Sequence, residues 1–295
     1  MKQLILLFTV IIVAVGCELY KQDQYQEYYV VESYLIASDN LPRVRLSTTT
    51  PIQKEYSFQD AAVSGAEVEI RLLNADSTVA ETYPYQQSAP GIYNSLSSAK
   101  VKAERLYQLH INTADGNVIT ATTYVPGVFN TVNKLQDSYT YQSPNQVEIT
   151  TTTSNYISDR QAYYIFTINA IHPDSSKLTP FYRDLVENQD NDIKDYYINS
   201  SGIINEGNYD RNSDGTITLN VPWLAIAFYD SNDVIANAID NNMYDFLRSQ
   251  SVQTGGSTLS PGEIQNIRYN VSGGIGIFGS MASDTNRVVI TRPDN

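Results

Sequence analysis

The stretch "RLYQLHINTADGNVITATTYVP" (105–126) holds the pattern on which the fold turns. Tyr107, Leu109 and Ile111 alternate with polar residues, and Ile119, Ala121 and Thr123 do the same after a break. Alternation of this kind places every second side chain on one face of a strand. Asp115-Gly116 sits between the two runs, a pair suited to the left-handed backbone of a tight hairpin turn. Pro126 closes the unit, since it cannot donate to a further ladder.

Upstream, "SGAEVEIRLLNADST" (64–78) repeats the pattern with Ala66, Val68, Ile70 and Leu72 on one face. From 28 to 126 such runs recur about every ten residues between turn signals, the spacing of roughly seven strands. This predicts an immunoglobulin-like β-sandwich over 28–126. Beyond 126 the chain stays strand-rich but less regular. "NQVEITTTT" (145–153), "AYYIFTINAI" (162–171), "GTITLNVP" (215–222) and "WLAIAFYD" (223–230) are candidate strands of a second, β-rich α+β domain spanning 127–295. In "SNDVIANAIDNNMYDFLRSQ" (231–250), Ile235, Ile239, Met243, Phe246 and Leu247 recur at three and four, which predicts one helix over 232–250. The polar, Asp/Asn-rich stretch 172–214 reads as long loops. The expected class is therefore mostly β.

The N-terminus carries a different signal. Met1-Lys2-Gln3 precedes "LILLFTVIIVAV" (4–15), a positive start and an apolar run too short for the roughly 20 residues that span a bilayer. It reads as an export signal over 1–16. The chain's single cysteine follows at once, in the order Ala14-Val15-Gly16-Cys17, which resembles a bacterial lipoprotein box with alanine where leucine is usual. That resemblance implies cleavage before Cys17 and acylation of its thiol. Two or three acyl chains, at about 0.8 kcal/mol per buried CH₂, anchor a protein durably where one would not. A free cysteine ending a secretory signal is the plainer alternative. The aperiodic segment 17–27 reads as a tether. In some bacteria acids just after the lipidated cysteine direct a lipoprotein to the cell surface; Glu18 follows Cys17 directly, but Glu18, Asp23 and Glu27 are scattered rather than adjacent, so the surface side of an outer membrane is favoured and the periplasmic side stays open.

Removing sixteen residues from 295 leaves 279, enough for two ordinary domains, and 42% of the chain is apolar. With 19 basic against 32 acidic residues the net charge is −13, and no Lys/Arg cluster interrupts it, so nucleic acid is excluded as a partner. Only His110 and His172 could serve as an imidazole base; the first alternates within a strand and the second precedes Pro173. Neither a G-x-S-x-G elbow nor an H-E-x-x-H helix occurs, and a non-enzyme is expected. The run "SGGIGIFGS" (272–280) lacks the lysine of a phosphate loop and reads as scaffold. Its glycines would let a strand bend or a backbone pack closely, while Ile275, Ile277 and Phe278 fill core.

Two weaker patterns remain. Asp210, Asn212 and Asp214, with Thr216 offering a carbonyl, match half of a calcium loop, but Val221 stands where a bidentate glutamate belongs. A hairpin turn with Asx chemistry explains the same letters. Tyrosine is abundant, 23 residues against eight phenylalanines, and Tyr182, Tyr196, Tyr197 and Tyr209 fall in the expected loops as candidate partner anchors.

Taken in order, "YYVVESYLIASDNLPRVRLSTTTPI" (28–52), "VSGAEVEI" (63–70), "PGIYNS" (90–95), "YQLHINTADGNVITATTYVP" (107–126), "MYDFLRSQ" (243–250) and "NVSGGIGIFGS" (270–280) resemble the Bacteroidota lipoprotein family known as domain of unknown function 4249. The glycine-rich run is the most specific of these elements, and 172–214 departs most from the family. The resemblance implies an outer-membrane lipoprotein working beside a β-barrel such as a TonB-dependent transporter, with no catalytic residues to carry over. The expectation is a lipid-anchored binding or accessory protein in nutrient uptake. The alternatives are a structural or assembly subunit of an envelope machine and, more remotely, a glycan- or peptide-acting enzyme.

Overall fold

The structure is a computed structural model describing residues 25–157, 160–253 and 266–293. Its first part is built of seven strands: β1 (Tyr29–Ile36), β2 (Val44–Thr48), β3 (Glu67–Leu73), β4 (Val79–Ala89), β5 (Ile92–Ser95), β6 (Leu106–Asn112) and β7 (Val118–Tyr124). A single-turn helix, α1 (Phe58–Ala61), joins β2 to β3. The hairpin forms as its sequence predicts, with Leu109 opposite Ala121 and Ile111 opposite Ile119. Gly116 takes the left-handed conformation at φ +86. The Asp115 carboxylate accepts from the Thr113 and Tyr29 hydroxyls and the Asn117 amide; these donors, Thr113 first, hold it down at about 2.

β4 divides its pairing, residues 79–84 lying along β3 and 85–89 along β5. The strands thus fall into two sets sharing β4, consistent with an immunoglobulin-like sandwich. Their inward residues, Val31 and Leu35 of β1, Ile70 and Leu72 of β3, and Tyr107, Leu109 and Ile111 of β6, meet in one buried core.

The second part contributes β8 (Tyr139–Thr140), β9 (Glu148–Thr151), β10 (Tyr163–Ala170), α2 (Pro180–Asn188), β11 (Ile198–Ser200), β12 (Ile204–Asn205), β13 (Ile217–Asn220), β14 (Asp230–Ile239), α3 (Asn241–Gln253), β15 (Val271–Ser272) and β16 (Ile275–Thr291). The fold is mostly β, with α3 as its one clear helix. β9 and β13 make a separate pair, and the other fourteen strands form one sheet along β11-β10-β14-β16-β1-β2-β5-β4-β3-β6-β7-β15, with β12 on β10 and β8 on β16.

The 17-residue β16 makes that continuity. Its first part runs parallel to β1 from Ile275 to Met281, and from Met281 to Ile290 it pairs antiparallel with β14. The last strands therefore return to the first, and β15 adds to β7. The glycine run is scaffold of the expected kind. Gly276 sits at φ +114, and a Cβ there would fall 2.0 Å from the Val31 carbonyl oxygen, so only glycine lets β16 lie against β1.

Three expectations are corrected. The helix does not begin at 232, because 230–239 is β14. Ile235 and Ile239 are four apart, a spacing that fits one helix face and equally one strand face. What decides is that Asn232, Val234, Ala236 and Ala238 point into the core while both edges of the segment find ladder partners. "WLAIAFYD" is not a strand: Pro222 opens a single helical turn over Trp223–Ala225, and Ile226, Ala227, Phe228 and Tyr229 are all buried without alternation. Nor is 172–214 merely loop. It holds α2, β11, β12 and three short helical turns around a small core of Leu178, Tyr182, Ala227 and Phe228. Among the described residues no helix is long and apolar enough to cross a membrane.

Candidate functional site

Strand alternation gives β10 and β14 two unlike faces. Tyr164, Phe166 and Ile168 enter the core, which leaves Ile165 and Thr167 on the outer face beside Asn237 and Ile239 of β14. Met281 of β16 pairs with Ile239, and Ser200 of β11 with Thr167, extending this face to both sides. Asn237 knits its middle: its amide donates to the Ile165 carbonyl at 3.1 Å and Thr167 Oγ1 at 3.0 Å, and its oxygen accepts from Ser283 Oγ at 2.7 Å.

Helix α3 lies across this face. A Cβ on Gly279 would come 2.5 Å from Met243 Cγ, so the bare glycine is the seat that admits the helix. The helix start is anchored by Asp240, which is fully buried. Its Oδ1 accepts from the Met243 N–H at 2.9 Å, a cap on the first turn. Its Oδ2 lies 2.6 Å from Thr123 Oγ1, which lies 2.7 Å from Ser280 Oγ, which in turn donates to the Tyr124 carbonyl at 3.0 Å. Burial pushes the Asp240 carboxyl up to about 6, against the lowering pull of the Thr123 hydroxyl and nearby backbone N–H groups. One polar knot thus joins β7, β16 and α3.

Between α3 and the sheet lies a cleft of about 640 Å³. Its apolar lining is aliphatic, from Ile165, Ile203, Ile239, Met243, Leu247 and Met281, and Thr167, Asn237, Ser200 and Ser201 supply neutral polar groups. Arg248 is the one charged residue among the described residues of the lining. On the other flank of α3 a smaller apolar hollow of about 210 Å³ is lined by Tyr34, Phe246 and Ile277 together with Met243, Leu247 and Met281. Tyr163 and Tyr244 stack at 4.0 Å, Arg160 lies over Tyr156 and Tyr163, and Arg248 donates to the Tyr244 hydroxyl at 2.9 Å. This row of rings and cations braces α3. Neither His110 nor His172 lines the cleft, and no carboxylate does so among the described residues. Such a surface can hold a ligand by burial and a few polar contacts.

Cys17 lies outside the described residues. Asp214 closes the 210–216 turn: its Oδ1 accepts from the Thr216 N–H at 3.0 Å and the Thr216 hydroxyl at 2.7 Å, which hold the carboxyl below its ordinary value. Asn212 bonds Thr216 through both main chain and side chain, and Gly215 is left-handed, so these residues form an Asx-type hairpin turn. Asp210 precedes it. Among the described residues no group of three or more His, Cys, Asp or Glu is placed to hold a metal.

The four tyrosines pack inward. Tyr182 is buried, and its hydroxyl donates to the Leu224 carbonyl at 2.6 Å. Tyr196 meets the Tyr182 ring edge-on at 4.9 Å, Tyr197 meets Phe228 at 6.0 Å, and Tyr209 packs against the main core. The structure does not bring them together at the cleft. The cleft residues, contributed by five separate segments, carry no shared local pattern; the visible hints were the outward positions of 162–171 and the glycine at 279.

The family model described as "Domain of unknown function (DUF4249)" matches residues 18–287. No curated protein matches the chain. Among solved structures, the chain is similar to trypsin-activated alpha-2-macroglobulin from Escherichia coli at 9% identity and a TM-score of 0.22, covering 73% of this chain and 14% of that one. It is also similar to three N-terminal domains of the bacteriophage RB49 Highly Immunogenic Outer Capsid protein, at 9% identity and a TM-score of 0.21 over 91% and 71% of the two chains. Murine CEACAM1b follows at 9% identity and a TM-score of 0.18, over 91% and 100%. Likeness at this level carries no argument about function, and the chain spans about one seventh of the macroglobulin.

Proposed function

This chain belongs to the Domain of unknown function (DUF4249) family, and from that premise we propose that it is a lipid-anchored, non-enzymatic binding or accessory lipoprotein of a Bacteroidota outer membrane, acting with a TonB-dependent transporter or similar β-barrel in nutrient uptake. The observation that carries the reading is the cleft between α3 and the outer sheet face, whose lining suits retention of a ligand. The lipoprotein box at Cys17 supports the anchor, and Glu18 supports the cell-surface side. The strongly acidic balance supports a partner other than nucleic acid.

Purification of the chain from detergent-solubilised membranes tests the reading. A β-barrel transporter recovered in stoichiometric amount is the expected result. A multi-subunit machine would replace the proposal with an assembly role, and recovery of the chain alone would overturn it. Cys17→Ala is expected to release the protein from membranes without unfolding it; retention after a high-salt wash would refute the lipid anchor.

A further inference from the structure

We propose that the cleft under α3 binds a single-chain aliphatic carboxylate, with the hydrocarbon on the sheet floor and the carboxylate at Arg248. This rests on the binding-protein reading and names the ligand class of the same site. Three observations carry it.

First, the apolar lining is aliphatic throughout, made by Ile165, Ile203, Ile239, Met243, Leu247 and Met281. Among the described residues no aromatic ring lines the cleft to stack on a sugar face, and no acidic side chain lines it to receive a cation or bind sugar hydroxyls. At about 640 Å³ it is of the size that encloses a ligand of some tens of atoms.

Second, Arg248 is the only charge among the described residues of the lining, and its hydrogen-bond partner is neutral, the Tyr244 hydroxyl. Asp245, the acid nearest in the helix, reaches instead toward Arg268. Among the described residues no carboxylate pairs with Arg248. The stack of Tyr244 on Tyr163 holds the phenol to which Arg248 donates, so the guanidinium is positioned at the cleft with donors left for an anion. Third, polar groups of the sheet floor already have partners: the Asn237 amide donates to Thr167 Oγ1, and Ser201 Oγ accepts from the Phe166 N–H and donates to the Gly202 carbonyl, so these groups present little unmet polarity to a hydrocarbon.

The test uses the full mature chain with Cys17→Ser, which removes the acyl chains and the need for detergent, and calorimetric titration with octanoate, dodecanoate and hexadecanoate. Affinity is expected to rise roughly four-fold per added methylene until the cleft is filled. Arg248→Gln, an exposed substitution, is expected to weaken dodecanoate about ten-fold and leave dodecanol unchanged. Ser200→Trp, also at an exposed position, should block both. Undiminished binding in Ser200→Trp would place the ligand elsewhere and overturn the proposal. So would dodecylamine binding as tightly as dodecanoate, or a leucine-rich peptide displacing dodecanoate at lower concentration. Absence of amphiphile binding by a chain that still recovers its transporter sinks this inference alone; amphiphile binding without a transporter partner sinks the uptake reading alone.

Discussion

Replacing Asp240 by asparagine tests the knot beneath α3, and the hydrogen count there says what to expect. Three oxygen contacts run in series, from Asp240 Oδ2 to Thr123, from Thr123 to Ser280, and from Ser280 to the Tyr124 carbonyl, at 2.6, 2.7 and 3.0 Å. Two hydroxyls bring two protons. With an ionised carboxylate one contact has none to share. With a neutral carboxyl the acid donates to Thr123, Thr123 to Ser280 and Ser280 to the carbonyl, and all three are satisfied while Oδ1 still caps Met243. Burial acts in the same direction, raising the carboxyl from 3.8 to about 6. A folded value above the unfolded one means stability is fully present below about pH 4 and is lost as pH rises through about 6. At 1.36 kcal/mol per tenfold change in acidity constant, the rise from 3.8 to about 6 is worth about 3 kcal/mol. Asparagine donates from its amide at every pH and keeps the cap. The variant should therefore match the wild type near pH 4 and exceed it by about 3 kcal/mol at pH 7.5. Urea unfolding followed by circular dichroism at both pH values reads the difference directly, and taking wild type against variant cancels all other titrations. A variant less stable than wild type by the same amount at both pH values would refute the neutral acid.

Gly276→Ala, which combines left-handed strain with a contact of 2.0 Å to the Val31 carbonyl, should cost about 2 kcal/mol or more in denaturant unfolding; an unchanged midpoint would mean that β16 does not hold its register on β1. Tyr196→Ala with Tyr197→Ala should lower stability by about 2 kcal/mol or more, because both rings close the small core at Tyr182 and Phe228, and a complex lost at intact stability would restore them as interface anchors. Asp214→Ala should cost about 1 kcal/mol with chelator present or absent, through the lost turn. A melting temperature that falls on chelation in the wild type and not in the variant would establish calcium there instead.

The family resemblance was legible from quoted segments spread over most of the chain, and the family model bears it out. The candidate site was not. Its residues come from β10, the β11 to β12 connection, β14, α3 and β16, more than a hundred positions apart at the extremes, and none is unusual in its own neighbourhood. Arg248 reads as an ordinary exposed helix residue until the sheet behind it and its neutral partner, the Tyr244 hydroxyl, are seen.

The sequence by itself determined what short-range periodicity can carry: alternation and Asp115-Gly116 made the hairpin of β6 and β7, because side-chain period and turn conformation are local properties. The glycines at 272–280 announced close approach without saying to what. Only the tertiary structure decided that Val31 and Met243 are what they admit, that 230–239 is strand, and that the chain's last strand lies beside its first. Each of those outcomes depends on which distant backbone offers hydrogen-bond partners and which face finds a core. A four-residue spacing such as Ile235 to Ile239 satisfies helix and strand alike, and the choice between them is made by β10 and β16 closing on both edges of the segment.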